Sequence, residues 1–245
     1  MPWPETGSAI PDLGNRFDIE EHLGTGGMGV VYRAWDRERQ GWVALKALRR
    51  IDDPSAVLRL KNEFRALANL THRNLVRLYE LIATGDQCFF TMELLSGTTF
   101  LRWVRGERLA ATTGTPRSWV EATPTGTLPT QSLSTPSGSR PDAGPGSSQR
   151  TAPPADRGRL ADGVLQLVTG LEALHRAGLV HRDVKPSNVM VTPEGRVVLL
   201  DFGIIADVVR HPGSSERVGT PTYMAPEQND PHLDVTPAAD WYASA

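Results

Sequence analysis

HRDVKPSNVMVTPEGRVVLLDFG, residues 181–203, is the stretch from which the rest of the chain can be read. It sets His181, Arg182, Asp183, Lys185 and Asn188 within eight positions, with the apolar runs GLV before them and VMV after. A tight polar loop between buried segments is where catalytic groups tend to be held. The Pro-Glu-Gly turn in VMVTPEGRVVLLD then predicts a hairpin, and Asp201 closes its second arm. A turn acid needs no function, but Asp201 with Asn188 offers two oxygen ligands of the kind Mg²⁺ accepts alongside phosphates and water. If such a phosphate site exists, Asp183 would be the group that accepts or orients the proton of an attacking hydroxyl, and Lys185 would neutralise a phosphoryl group in flight.

Upstream, LGTGGMGVV at residues 23–31 places Gly24, Gly26 and Gly29 in the order G-x-G-x-x-G, with Thr25, Gly27, Met28, Val30 and Val31 filling the motif. The spacing also matches a dinucleotide fingerprint, which opens a helix. Here GVVYRAW follows, β-branched and aromatic, so the glycines read as a hairpin whose backbone amides cover phosphates. VALK ends at Lys46 on the next predicted strand. From Ala56 to Leu70, Val57, Leu60, Phe64, Leu67 and Leu70 share one helical face. Glu63 on that helix is expected to pair with Lys46 and hold its ammonium on a nucleotide's α and β phosphates.

The strand-rich first part, with FDIEEHL, GVVYRAWD, WVALKAL, NLVRLYELI and CFFTMELL as strands and one helix, is followed by a helical part. That order predicts an α+β fold in two lobes. Leu160, Val164, Leu167, Val168, Leu171 and Leu174 share a face of a second helix, with Gly178 at its cap. The expected divisions are an N-terminal extension 1–16, a small lobe and hinge 17–95, the start of a large lobe 96–111, an insertion 112–158, and the remaining large lobe 159–245. Within the insertion, residues 112–154 are rich in Ser, Thr, Pro and Gly, with Trp119, Val120, Leu128 and Leu133 as their large apolar residues. Such a composition cannot offset an ordering cost of roughly 1–2 kcal/mol per residue and predicts disorder.

Composition narrows the partners. The 245 residues are 39% hydrophobic and 22% charged, with 26 Lys and Arg against 28 Asp and Glu, so no basic field points to nucleic acid. Cys88 is the single cysteine, which excludes an internal disulfide. No apolar run is long enough to span a membrane, and MPWPETGSAIPDLG lacks the regions of a signal peptide, so the expected location is cytoplasmic.

GxGxxGxV, VALK, HRDxKPxN, DFG and APE, in this order, coincide with the protein-kinase signature set. The chain resembles the eukaryotic-like serine/threonine protein kinases over residues 17 to about 104 and 159 to about 243. GGMGVVYRAWD and APEQ look most like their bacterial members. The resemblance implies a two-lobed kinase fold, with ATP and Mg²⁺ as cofactors and Ser/Thr hydroxyls of proteins as acceptors. It implies that Leu23, Val31, Ala44 and Met190 sandwich the adenine, that the backbone from Glu93 to Leu95 reads the adenine edge, and that Met92 guards a back pocket. Leu67, Leu78, His181 and Phe202 match a stacked spine, and Asp240 the acid that anchors it. Thr220 matches a threonine bridging Asp183 and Lys185. Arg182 matches an arginine that grips a phosphorylated loop, for which Ser214 and Ser215 are candidates and Glu216 a substitute charge.

The family continues past DWYASA into further helices, one carrying an arginine for the APE glutamate, Glu227. The expectation is thus of a truncated catalytic domain, marginal in stability and activity. Two alternatives stand beside an active kinase: a nucleotide-binding scaffold without turnover, and a small-molecule phosphotransferase. GTPTYMAPE, which looks like a peptide-substrate loop, disfavours the latter.

Overall fold

The computed structural model describes residues 15–26, 29–48, 53–84, 87–107, 155–203, 221–230 and 233–244. The small lobe is a five-stranded antiparallel sheet of β1 (Phe17–Gly26), β2 (Gly29–Asp36), β3 (Gly41–Leu48), β4 (Leu78–Thr84) and β5 (Gln87–Glu93). Its spatial order is β1-β2-β3-β5-β4, and helix α1 (Pro54–Ala68) packs against one face. The helix starts two residues before its apolar periodicity, because the side chain of Asp53 accepts from Ser55 N and Pro54 occupies the first turn.

Strand alternation divides the small-lobe core in two. Leu23, Val31, Ala44, Phe90 and Met92 join Ala56, Leu60, Phe64 and Leu67 of α1 in one cluster. Phe17, Val30, Tyr32, Val43, Leu45 and Phe89 form a second cluster on the opposite face. Each buried Val, Leu, Phe or Met side chain among them contributes roughly 1.5–3 kcal/mol. The sheet curls enough for Phe17 of β1 to meet Phe89 of β5 edge-on at 6.1 Å. Arg16 fastens the curl: its guanidinium reaches Asp36 at the end of β2 at 3.1 Å and Glu80 on the far edge strand β4 at 2.7 Å.

Asp36 is fully buried. Burial alone would raise its carboxyl pKa, but the Arg16 guanidinium and the Arg39 and Glu38 amides outweigh that and hold it below the ordinary value. Arg16→Ala leaves this carboxylate buried without its cation, and is expected to cost about 3 kcal/mol in urea unfolding at neutral pH. A carboxyl with a lowered folded pKa contributes stability above its unfolded pKa and loses it as pH falls through the folded value. The gap between wild type and variant should therefore narrow below about pH 4. A gap that is absent at neutral pH, or unchanged on acidification, would show that the pair does not secure the sheet.

The large lobe is built on α2 (Phe100–Val104), α3 (Arg157–Arg176) and α4 (Pro237–Ser244), with a small sheet of β6 (Thr98–Thr99), β7 (Val189–Val191) and β8 (Val197–Leu199). The predicted hairpin is β7–β8, and β6 adds a third strand that the periodicity did not reveal. Asp156 caps α3 by accepting from Gly158 N and Arg159 N, so the helix begins at Arg157, inside the segment assigned to the insertion. Its buried face runs through Gly163, Leu167, Gly170, Leu171 and Leu174, whereas Leu160 and Val164 are exposed, contrary to the apolar stripe expected. Phe100 packs close to Gly163, and Asn74 to Gly170, so bare backbone takes the place of side chains on that face.

The two lobes meet through the connection after α1. Val76 N donates to Leu199 O, Leu199 N to Asn74 O, and the Asn74 amide to Val197 O at 2.7 Å. Residues 112–154, for which disorder is expected, lie outside the described residues, as do Gly27, Met28, Ser214, Ser215, Glu216 and Thr220.

Candidate active site

Lys46 lies on the α1 face of β3, opposite Val31 on β2 and Phe90 on β5. The same register sets Ala44 against Met92, and Met92 against Leu78. Leu23, Val31, Ala44 and Met190, expected to sandwich the adenine, are buried in one cluster with Met92, expected to guard a back pocket, and Leu95 of the hinge. Val30 is the exception. Alternation turns its side chain into the Phe89 cluster, away from Lys46, so it is not a cleft residue. Gly24 pairs with Val31, Thr25 with Val30 and Gly26 with Gly29 at the hairpin tip.

A side chain at Gly29 is excluded: its φ is 146° and a Cβ would lie 2.0 Å from Ala47 O. Around Gly26 no described atom lies within 4 Å of such a Cβ. Thr25 is exposed, its hydroxyl 2.8 Å from His22 Nε2.

The pair expected between Lys46 and Glu63 is not formed. Lys46 Nζ instead donates to Asp201 Oδ1 at 2.6 Å, with the lysine side chain 5% exposed. A buried ammonium requires a close carboxylate, and Asp201 supplies it. Glu63 stays half-buried, where burial raises its carboxyl pKa against the lowering fields of Arg182 and Arg59.

Asp201 has φ 48°, which brings its carboxylate back from the end of β8 toward β3. Phe202, next along, packs its ring 5.4 Å from His181. Gly203 N donates to His181 O at 2.8 Å, and a Cβ on Gly203 would stand 2.7 Å from that same oxygen. His181 is fully buried; Nε2 donates to Leu200 O and Nδ1 accepts from Asp183 N, which requires the tautomer protonated at Nε2. Leu67, Leu78, His181 and Phe202 are all buried, as a spine between the lobes requires.

Asp183 is clamped from within its own loop. Lys185 Nζ lies 2.9 Å from Oδ2, and Asn188 Nδ2 donates at 2.8 Å both to Oδ2 and to the Asp183 carbonyl. Oδ1 of Asp183 and Oδ1 of Asn188 accept no hydrogen bond from the described residues. Asp240 on α4, 1% exposed, accepts from His181 N, Arg182 N and His175 Nε2, so the expected anchor is in place.

At the hinge, Glu93 N donates to Arg77 O, so its donor is already committed. Its carboxylate takes a two-point pair from Arg196 at 2.6 and 3.1 Å, and Arg196 Nε holds Arg73 O. This tie between hinge and β7–β8 turn went unread in the sequence, since nothing local marks one surface arginine among many. Gln228 was also missed, although A-P-E-Q has the spacing of a capping turn.

The sequence profile of the protein tyrosine and serine/threonine kinase family matches residues 17–244. The chain belongs to that family. Among curated kinases, it is 32% identical over 232 residues to the serine/threonine-protein kinase PknL of Mycobacterium tuberculosis, covering 91% of this chain and 47% of that protein. It is 30% identical over 240 residues to PknA of the same species, covering 94% and 45%, and 30% identical to the probable serine/threonine-protein kinase SCO3848 of Streptomyces coelicolor, covering 88% and 27%. This kinase chain thus spans about half, or less, of the length of these relatives. The PknI kinase domain of Mycobacterium tuberculosis has the same fold, with a TM-score of 0.61 at 23% identity over 94% of this chain and 72% of that one. Among the described residues no helix is long and apolar enough to cross a membrane.

Proposed function

We propose that this kinase domain transfers the terminal phosphoryl group of ATP to serine or threonine hydroxyls of proteins, its own chain included, as part of signalling. One observation carries the reading: Asp183 is held rigidly by Lys185 and Asn188 through one carboxylate oxygen, which leaves the other for an acceptor hydroxyl. Lys185 beside Asp183 suits Ser/Thr acceptors, and its charge would offset the negative charge that develops during transfer.

The residues present suit magnesium and nucleotide. Asn188 turns its amide nitrogen to Asp183, which leaves Oδ1 available, and Asp201 uses only Oδ1 for Lys46. Two hard oxygen donors completed by phosphate and water are what Mg²⁺ accepts. When bound, the ion would neutralise charge on the β- and γ-phosphate oxygens. Lys46 would hold the α and β phosphates, with Gly24, Thr25, Gly26 and Gly29 covering them. Leu23, Val31, Ala44, Met92 and Met190 would line the adenine site, and Leu95 would offer backbone groups to the ring edge. Residues 112–154, ahead of the Asp156 cap of α3, would form an insertion between two parts of the large lobe.

Nucleotide titration with and without Mg²⁺, for wild type and Lys46→Met, tests the assignment. Affinity is expected to depend on the metal and to weaken by about tenfold or more in the variant, as loss of one charge-assisted contact implies. Affinity indifferent to both would end the nucleotide assignment. Nucleotide binding without phosphate incorporation into protein would favour the scaffold.

A further inference from the structure

The turn at the end of the GTPTYMAPE motif, Pro226–Asn229, is organised by one side chain. Ala225 is its N-cap, Pro226 opens it, and Gln228 reaches back so that Oε1 accepts from Ala225 N at 3.0 Å. Glutamate performs that local task as well as glutamine. Gln228, however, is 7% exposed, and its other end points out of the turn. Nε2 donates to Arg182 O in the catalytic loop at 2.7 Å.

Arg182 has φ 67°, a conformation that an L side chain rarely adopts unless its surroundings hold it. It is held at both ends of its backbone. Arg182 N donates to Asp240 Oδ1 at 2.7 Å, and its carbonyl accepts from Gln228. Asp183 is the next residue, so the torsions at Arg182 aim its carboxylate. Lys185 and Asn188 fix Asp183 within the loop, whereas Asp240 and Gln228 tie the loop to α4 and to the segment around Ala225.

We infer that Gln228 is a positioning residue for phosphoryl transfer, its amide group holding the Arg182 carbonyl and thereby the direction of Asp183. The inference rests on the kinase reading above. It requires an amide rather than a shape: a carboxylate at position 228 keeps the cap but sets a negative oxygen against a carbonyl oxygen.

Gln228→Glu separates the two tasks, and Gln228→Met removes both at nearly constant volume. In the 245-residue chain, phosphate incorporation is measured per nucleotide-binding site, so that loss of folded protein does not count as loss of turnover. Gln228→Glu is expected to lower turnover by about tenfold, with nucleotide affinity within about twofold, because the contact serves the acceptor side. Amide hydrogen exchange supplies a readout independent of activity. Exchange at residues 181–183 should accelerate in both variants, while Ala225 N–H keeps its protection in Gln228→Glu and loses it in Gln228→Met. Unchanged exchange at 181–183 in Gln228→Glu overturns the proposal, as does turnover equal to wild type in an active chain. If wild type binds nucleotide without transferring phosphate, the kinase reading fails separately, and exchange at 181–183 alone decides the role of Gln228.

Discussion

Asp183→Asn is expected to reduce phosphoryl transfer by about 10²–10⁴-fold, the usual contribution of a positioned general base, while nucleotide affinity stays within a few-fold of wild type. The two readouts separate because Asp183 touches neither Lys46 nor Asp201. Its carboxylate is bound to Lys185 and Asn188 instead. Asparagine still offers Lys185 an oxygen, so the loop should hold its shape while losing the charge that draws a proton from the attacking hydroxyl. Radiolabelled phosphate incorporation beside a nucleotide titration decides it. Equal incorporation by variant and wild type would remove Asp183 from the mechanism.

Asp240→Ala is expected to be the most damaging substitution for stability. Asp240 is almost wholly buried and accepts from three donors: His175 Nε2 at 2.7 Å, His181 N at 2.8 Å and Arg182 N at 2.7 Å. Alanine leaves those donors buried and without an acceptor, at about 1–3 kcal/mol each, so a loss of about 3–5 kcal/mol is expected. That is a large share of the ~5–15 kcal/mol typical of a domain. The damage should also appear as lost turnover, since Arg182 would be free to leave its left-handed conformation. Asp240→Asn should fall between, because one amide oxygen remains while the nitrogen opposes a backbone donor. Urea midpoints by circular dichroism test the order wild type, Asn, Ala. An alanine variant as stable as wild type would mean that α4 does not anchor the catalytic loop.

The positions of Lys46, Asp183, Asn188 and Asp201 were legible because each sits in a short motif whose chemistry constrains near neighbours. The strands and α1 were legible for a similar reason, since side-chain alternation and helical periodicity are properties of a few consecutive residues. The errors share the opposite character. Glu63 was assigned to Lys46 from its place on a helix face, yet the ammonium chose a carboxylate 155 residues away. Val30 was grouped with the glycine loop by adjacency, although adjacent strand residues face opposite ways and the curled sheet buries both faces. Leu160 and Val164 continued an apolar stripe along α3, but the described packing runs through Gly163 and Gly170.

By itself, then, the sequence marked the groups proposed to bind phosphate, ligate a hard cation and take a proton, because motif membership rests on side-chain type and short spacing. It also determined the two-lobed α+β order of elements, because periodicity is local. Only the tertiary structure decided which charged groups pair. Lys46 with Asp201, Glu93 with Arg196, and Gln228 with the carbonyl of Arg182 are all contacts between distant segments. A buried charge or carbonyl binds whichever partner the packed core brings within about 3 Å. That choice is made by how sheet, helices and loops close on one another, and no local spacing records it.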